Sequence, residues 1–157
     1  MWAMYVMTFF TLLVTGAMGQ FVAKHDAQKV KRGGALASQM YAYRHEFNKY
    51  LTANPSFTGT VSDTHLTKNG FLTPMCNGQM CWGNIVTSSA AYVYVKNLAS
   101  LPYPLSATEL YEISKRSPTI GTKNAAGNFV SYSSGVQAAF GVLPGAIPVG
   151  AIVIKVK

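Results

Sequence analysis

LASQMYAYRHEFNKYL, residues 36–51, is the stretch whose reading arranges the rest of the chain. Leu36, Met40, Tyr43, Phe47 and Tyr50 or Leu51 recur at intervals of three and four, the spacing that lines up one face of an α-helix. Arg44 and Lys49 fall on other faces, where water can reach them. A helix with a single apolar face has to cover it. Downstream of Pro55 the chain offers short extended pieces rather than further helices of this length, so the face is expected to lie on a sheet. That is an α+β fold. Asn54-Pro55 ends the helix, because a proline drives the residue before it out of the α region. Gly33-Gly34 predicts a break on the upstream side, since each glycine costs ~1 kcal/mol against alanine inside a helix.

Beyond that break lies Met1 to Ala23, MWAMYVMTFFTLLVTGAMGQFVA, without one charged side chain. A helix of this length is ~30 Å or slightly more, enough to cross a hydrocarbon core. Trp2 and Tyr5 suit the headgroup layer at one end, and Thr8, Thr11 and Thr15 can bond back to helix carbonyls. The expectation is a transmembrane anchor over 1–23 that continues into a stalk helix. The competing reading is a cleaved signal peptide, with Ala17 and Gly19 preceding a cut before Gln20. No Lys or Arg precedes the apolar run, which is also long for such a peptide. A pilin-type leader is excluded, because its apolar stretch follows the cut and here it lies before Gly19.

Lys24, Lys29, Lys31 and Arg32 follow the apolar run and are expected to contact the membrane surface, where anionic headgroups attract them. They account for about half of a net charge of +8, which makes nucleic acid an unexpected partner. Basic residues after an anchor favour a cytoplasmic C-terminal side. The cysteines favour the opposite side.

Cys76 and Cys81 flank Asn77-Gly78-Gln79-Met80. Asn-Gly is a strong reversal signal, so the two Cα atoms can come within the ~4.4–6.8 Å that a disulfide requires. A disulfide places the domain in an oxidising compartment such as a periplasm. Two free thiols, or a metal half-site with His65 as the only nearby third ligand, are the alternatives. No second cysteine pair completes a zinc set.

The region 55–157 reads as one small domain. Trp82 to Thr87 and Ala91 to Val95 form strands around a Ser88-Ser89 turn, the second alternating Tyr92 and Tyr94 with Val93 and Val95. Such alternation suits a strand buried on one face. Ser106 to Glu109 is a capping box opening a short helix, with Leu110, Ile113 and Tyr111 facing inward and Lys115-Arg116 at its negative end. Thr119 to Lys123 and Asn128 to Ser133 form a hairpin, and Ala151 to Val156 is the last strand. Phe57 to Val61 is a strand or an ordered connection, and Ser62 to Met75 is mostly loop with Phe71-Leu72 tucked inward. Val136 to Leu143 is strand or short helix. The domains are thus 1–23, 24–54 and 55–157.

Catalytic signals are absent. Asp63 and His65 stand two apart, yet no nucleophile elbow accompanies them. The five acidic residues supply no pair for acid–base work, and no glycine loop for phosphate is present. An enzyme is not expected, nor a cofactor or metal. Tyr41, Tyr43, Tyr92, Tyr94, Tyr103, Tyr111 and Tyr132 divide between core and scattered surface positions.

Four segments taken together, behind the expected N-terminal anchor, carry a resemblance: Met40-Tyr41-Ala42-Tyr43-Arg44; the junction Ala53-Asn54-Pro55-Ser56-Phe57-Thr58-Gly59-Thr60-Val61; Ala91-Tyr92-Val93-Tyr94-Val95; and the tail Ile147-Pro148-Val149-Gly150-Ala151-Ile152-Val153-Ile154. The chain resembles the small PilM-type proteins encoded with type IV thin pili on conjugative plasmids, which are distinct from the actin-like protein of the same name. The resemblance implies a bitopic inner-membrane component of the pilus assembly apparatus with a periplasmic domain and no catalytic residues. Its partners would be membrane lipid, other pilus or secretion-system subunits, and further copies of itself. A minor pilin within the fibre, or a soluble binding module released near Gly19, are the alternatives.

Overall fold

The computed structural model describes residues 34–66, 75–115, 117–132 and 139–157. The run Met1–Ala23 expected to be an anchor, the basic residues Lys24, Lys29, Lys31 and Arg32, Phe71-Leu72 and Arg116 lie outside the described residues. The chain divides into two units, Met1–Arg32 and Gly33–Lys157, and every described residue belongs to the second. Among the described residues no helix is long and apolar enough to cross a membrane.

The first described helix, α1, runs over residues 34–53. It stops where the Asn-Pro pair requires, and Asn54 donates both its backbone N–H and its side-chain amide to the Tyr50 carbonyl, at 2.9 Å each. Leu36, Met40, Tyr43, Phe47 and Leu51 are all buried. The helix therefore belongs to the core of the unit that contains the sheet, Gly33–Lys157.

A short helix α2, Asp63–Leu66, occupies part of the stretch expected to be loop, and Leu66 seals it against the core. Two strand pairs come next. β1 (Met75–Cys76) and β2 (Gln79–Met80) form a minimal hairpin. β3 (Trp82–Val86) and β4 (Ala91–Val95) form the first ladder of the main sheet. A 3-10 turn, Leu98–Ser100, leads to helix α3, Ala107–Ile113, and then to β5 (Ile120–Lys123), β6 (Asn128–Ser131), β7 (Ala139–Val142) and β8 (Ile152–Lys155). The sheet order is β3-β4-β8-β5-β6-β7, antiparallel throughout. The last strand is thus inserted between β4 and β5. Residues 57–61 form a connection, of which only Gly59 bridges to Val86.

The sheet is covered on both faces, where one buried face was expected. On one, α1 meets Trp82, Val93, Val95, Ile120, Ile152 and Ile154. On the other, Phe129, Leu143, Ile147, Ala151 and Val153 form a second cluster, against which Ile85, Tyr92 and Tyr94 pack half-buried. The alternation in β4 divides its residues between two apolar layers rather than between core and water.

At α3 the capping box is complete: Ser106 Oγ accepts from the Glu109 N–H at 3.1 Å, and Glu109 Oε2 accepts from the Ser106 N–H at 3.1 Å. Leu110 is buried, Tyr111 is half-buried, and Ile113 is 40% exposed, contrary to the inward face expected for it. The helix is only seven residues long, and the chain turns at Lys115 with φ 55°, so its last residue has passed beyond the sheet.

Candidate functional site

Two features of the β3 end of the sheet concentrate the polar and covalent chemistry of the domain. The first is centred on Asn84, on β3, which is 1% exposed. Its Oδ1 accepts from the Val61 N–H at 2.7 Å, and its Nδ2 donates to the Val61 carbonyl at 2.9 Å and to the Tyr43 hydroxyl at 2.7 Å. A side-chain amide here takes the place of a backbone partner, satisfying the N–H and the carbonyl of buried Val61. The Tyr43 hydroxyl donates in turn to Asp63 Oδ1 at 3.3 Å, and Asp63 Oδ2 lies 3.8 Å from Lys96 Nζ. Helix α1, the 57–61 connection, α2 and the end of β4 are tied together by one polar chain. Outside it lies a cleft of about 280 Å³ lined by Ser62, Asp63, Thr64, Tyr94 and Lys96 among others.

Burial pushes the Tyr43 phenol well above its ordinary pKa, the neighbouring Asp63 carboxylate adds to the rise, and the Asn84 hydrogen bond offsets part of it. Burial also raises Tyr92, and raises Tyr94 with a contribution from Asp63. Below pH ~10 the phenols are neutral in folded and unfolded chains alike. Above it the unfolded chain releases protons that the folded one keeps, so stability falls as pH rises. The expected outcome is a urea midpoint that drops from about pH 10 upward. Tyr43→Phe should show a shallower drop, although it is less stable at pH 7 for want of its hydrogen bonds. An unchanged alkaline slope in Tyr43→Phe would count against the assignment.

The second feature is the β1–β2 hairpin. Asn77 (φ 52°) and Gly78 (φ 78°) both adopt the left-handed backbone that a two-residue type I′ turn needs, which explains the Asn-Gly pair. Cys76 and Cys81 are joined as a disulfide with Cα atoms 5.0 Å apart. The Asn77 side chain donates to Ser100 Oγ at 3.2 Å, fastening the hairpin to the 3-10 turn, and the Lys96 N–H donates to the Cys81 carbonyl at 2.9 Å, carrying the β3–β4 pairing up to the disulfide. Replacing both cysteines with serine is expected to lower stability by ~2 kcal/mol, the chain-entropy value for so short a loop. Urea unfolding with and without reductant reads this directly.

His65 is exposed and leans on the Tyr50 ring at 5.9 Å between centroids. It therefore sits apart from the cysteine pair's bonding, and among the described residues no cluster of His, Cys, Asp and Glu could hold a metal ion. His65 and Asp63 do not converge on a nucleophile; Asp63 is engaged by Tyr43 and Lys96. Sequence reasoning missed the two buried polar residues that matter most, Asn84 and Lys123. The Lys123 ammonium is buried and donates to the carbonyls of Pro144 at 2.9 Å and Ile147 at 2.7 Å, pinning the loop before β8. Pro144-Gly145 and Pro148 mark that loop in the sequence, but nothing near Lys123 signals that a distant cation caps it.

The fold and its polar core can be set beside known proteins. The family model for PilM matches residues 8–155. The solved structure of PilM from Escherichia coli B7A superposes with a TM-score of 0.56 at 17% identity, over 82% of this chain and 94% of that one. At that identity the likeness speaks for the fold alone. Curated protein sequences give no significant match. The family match spans almost the whole chain, helix α1 and every strand included, and by it this chain belongs to the PilM family, whose members serve pilus biogenesis.

Proposed function

We propose that the chain is a non-enzymatic, single-pass inner-membrane component of a type IV pilus assembly apparatus, of the conjugative thin-pilus kind, acting through protein contacts of a periplasmic domain. The observation that carries the reading is the PilM family match over residues 8–155. The uncharged run Met1–Ala23 supports an anchor, and Lys24, Lys29, Lys31 and Arg32 support a hold on headgroups. The disulfide supports an exported domain, against the orientation that the basic flank favours alone. In this role the domain is a rigid presenter of surfaces, its polar core serving to lock α1 to the sheet rather than to do chemistry.

The test joins topology to phenotype. A membrane-impermeant maleimide of high mass should leave Cys76 and Cys81 unshifted in denatured, unreduced lysate and shift both after reduction. Free thiols reached only after lysis and denaturation would place the pair in the cytoplasm and sink the periplasmic reading. Deletion of the gene should abolish pili, with the anchored protein staying in the membrane when pili are sheared. Its recovery with sheared pili would make it a minor pilin instead. A mature N-terminus at Gln20 would remove the anchor altogether.

A further inference from the structure

Asn77-Gly78 makes the turn of the β1–β2 hairpin, and it is also a chemically reactive pair. The Gly78 nitrogen can attack Asn77 Cγ and close a cyclic imide, because glycine has no side chain to obstruct the approach. Both residues are exposed, and a Cβ built on Gly78 would meet nothing within 4 Å, so neighbouring atoms leave the reaction room and water can reach it. The obstacle is the backbone itself. In the left-handed region ψ lies at about +30 to +60°. At Asn77, with φ 52°, that sets the Gly78 nitrogen nearly opposite Cβ across the Cα–C bond, out of reach of Cγ. Ring closure therefore requires Asn77 to leave the left-handed region, which dismantles the type I′ turn.

Two restraints hold that turn shut. β1 and β2 form a two-stranded sheet of their own with two residue pairs, and a hairpin of that size is marginal by itself in water. The Cys76–Cys81 disulfide closes it, and the bond from Asn77 Nδ2 to Ser100 Oγ ties the amide to the 3-10 turn.

We propose that Asn77 is a spontaneous modification site gated by this disulfide. While the bond is intact the amide is retained. In the dithiol form, before the bond has formed or after a dithiol has reduced it, the turn opens and Asn77 is converted to aspartate and isoaspartate. Reduction takes two electrons and two protons from the reductant, which becomes its own disulfide, and leaves Cys76 and Cys81 as thiols. In the conversion the Gly78 nitrogen gives up its proton and bonds to Cγ, and Nδ2 leaves as ammonia. Water then opens the imide at either carbonyl, leaving a carboxylate at one and a peptide bond at the other. Opening at the main-chain carbonyl routes the chain through the former side chain and adds a methylene, a length that a two-residue turn does not accommodate. A chain oxidised promptly keeps its hairpin, and a chain left reduced accumulates a form whose turn no longer closes. The gate rests on the hairpin alone and is independent of the pilus reading.

The test holds the full chain, in detergent micelles at mildly alkaline pH, under three conditions: oxidised, with a dithiol reductant, and with that reductant plus denaturant. After acid quenching and reduction, tryptic cleavage at Lys68 and Lys96 yields fragment 69–96, which carries Asn77 and the chain's other Asn-Gly pair, Asn69-Gly70. Mass spectrometry follows the two amides separately, with Asn69 in denaturant giving the rate that the dipeptide sets by itself. In the oxidised chain Asn77 should convert about tenfold or more slowly than in denaturant, since only the opened turn reacts. Reductant alone should restore most of the lost rate. Equal rates at Asn77 in the oxidised and denatured chains overturn the proposal, as does an Asn77 that stays protected in the reduced chain. Ser100→Ala keeps the disulfide and decides the matter even where reduction loosens the whole domain. It should speed Asn77 conversion in the oxidised chain about threefold, the effect of losing one exposed hydrogen bond. An unchanged rate in that variant overturns the gate.

Discussion

Gly121→Ala is expected to destabilise the domain by about 3 kcal/mol or more, an overpacking cost at the top of the usual range. Gly121 lies on β5, paired on its two sides with Ser131 and Val153. A Cβ there would stand 2.1 Å from the Val130 carbonyl oxygen and 2.8 Å from its carbon. Those are backbone atoms of a hydrogen-bonded neighbour, so relief requires β5 and β6 to part. Phe129, of the second core cluster, would also be pushed at 2.9 Å. Gly83 is the control. Its Cβ would meet only the far end of the Tyr94 ring, at 2.5 to 2.9 Å, and that half-buried ring can swing outward. Gly83→Ala should therefore cost about 1 kcal/mol. Urea midpoints of the two variants decide the matter, and equal losses would refute the distinction between backbone and side-chain obstruction.

The second large effect is expected at Asn84. Truncation to alanine leaves the Val61 N–H and carbonyl without their partner and takes one bond from the Tyr43 hydroxyl, all in a buried site. Each buried group so orphaned costs ~1–3 kcal/mol, and the total is expected near ~3 kcal/mol once relaxation and water entry are allowed for. Asn84→Asp preserves the acceptor for Val61 but loses both donated bonds and places a carboxylate beside Asp63, so it should be no milder at pH 7. Amide exchange at Val61 offers the specific readout. It should accelerate strongly in Asn84→Ala, while amides of β5 and β6 change only with global stability. Uniform acceleration would mean that Asn84 is ordinary filling.

Much of this architecture is legible in the residues themselves. The α1 face is readable because Leu36, Met40, Tyr43, Phe47 and Leu51 follow helical spacing, and burial of all five agrees. The β3 and β4 strands, the α3 capping box, the β5–β6 hairpin and the Asn-Gly turn are likewise signalled by neighbours a few residues apart. Local spacing misleads at edges and in short pieces. Ile113 shares a helical pattern with Leu110, but so short a helix leaves the sheet before its last turn is covered. Asp63–Leu66 resembles loop because four residues show no periodicity.

The sequence by itself determined the local elements, the reversal that brings Cys76 to Cys81, and the kinship with PilM proteins. The elements and the reversal rest on side chains within one or two turns of each other, where backbone preference and spacing act directly, and the kinship on the order of such segments along the chain. Only the tertiary structure decided that β8 enters between β4 and β5, that the sheet has two apolar layers, and that Asn84 and Lys123 are buried at all. The physical reason is range. Asn84 meets Tyr43 across 41 positions and Val61 across 23, and Lys123 meets Pro144 and Ile147 across 21 and 24. A polar side chain is stable in a core only when such remote partners arrive to satisfy it, and no local pattern announces their arrival.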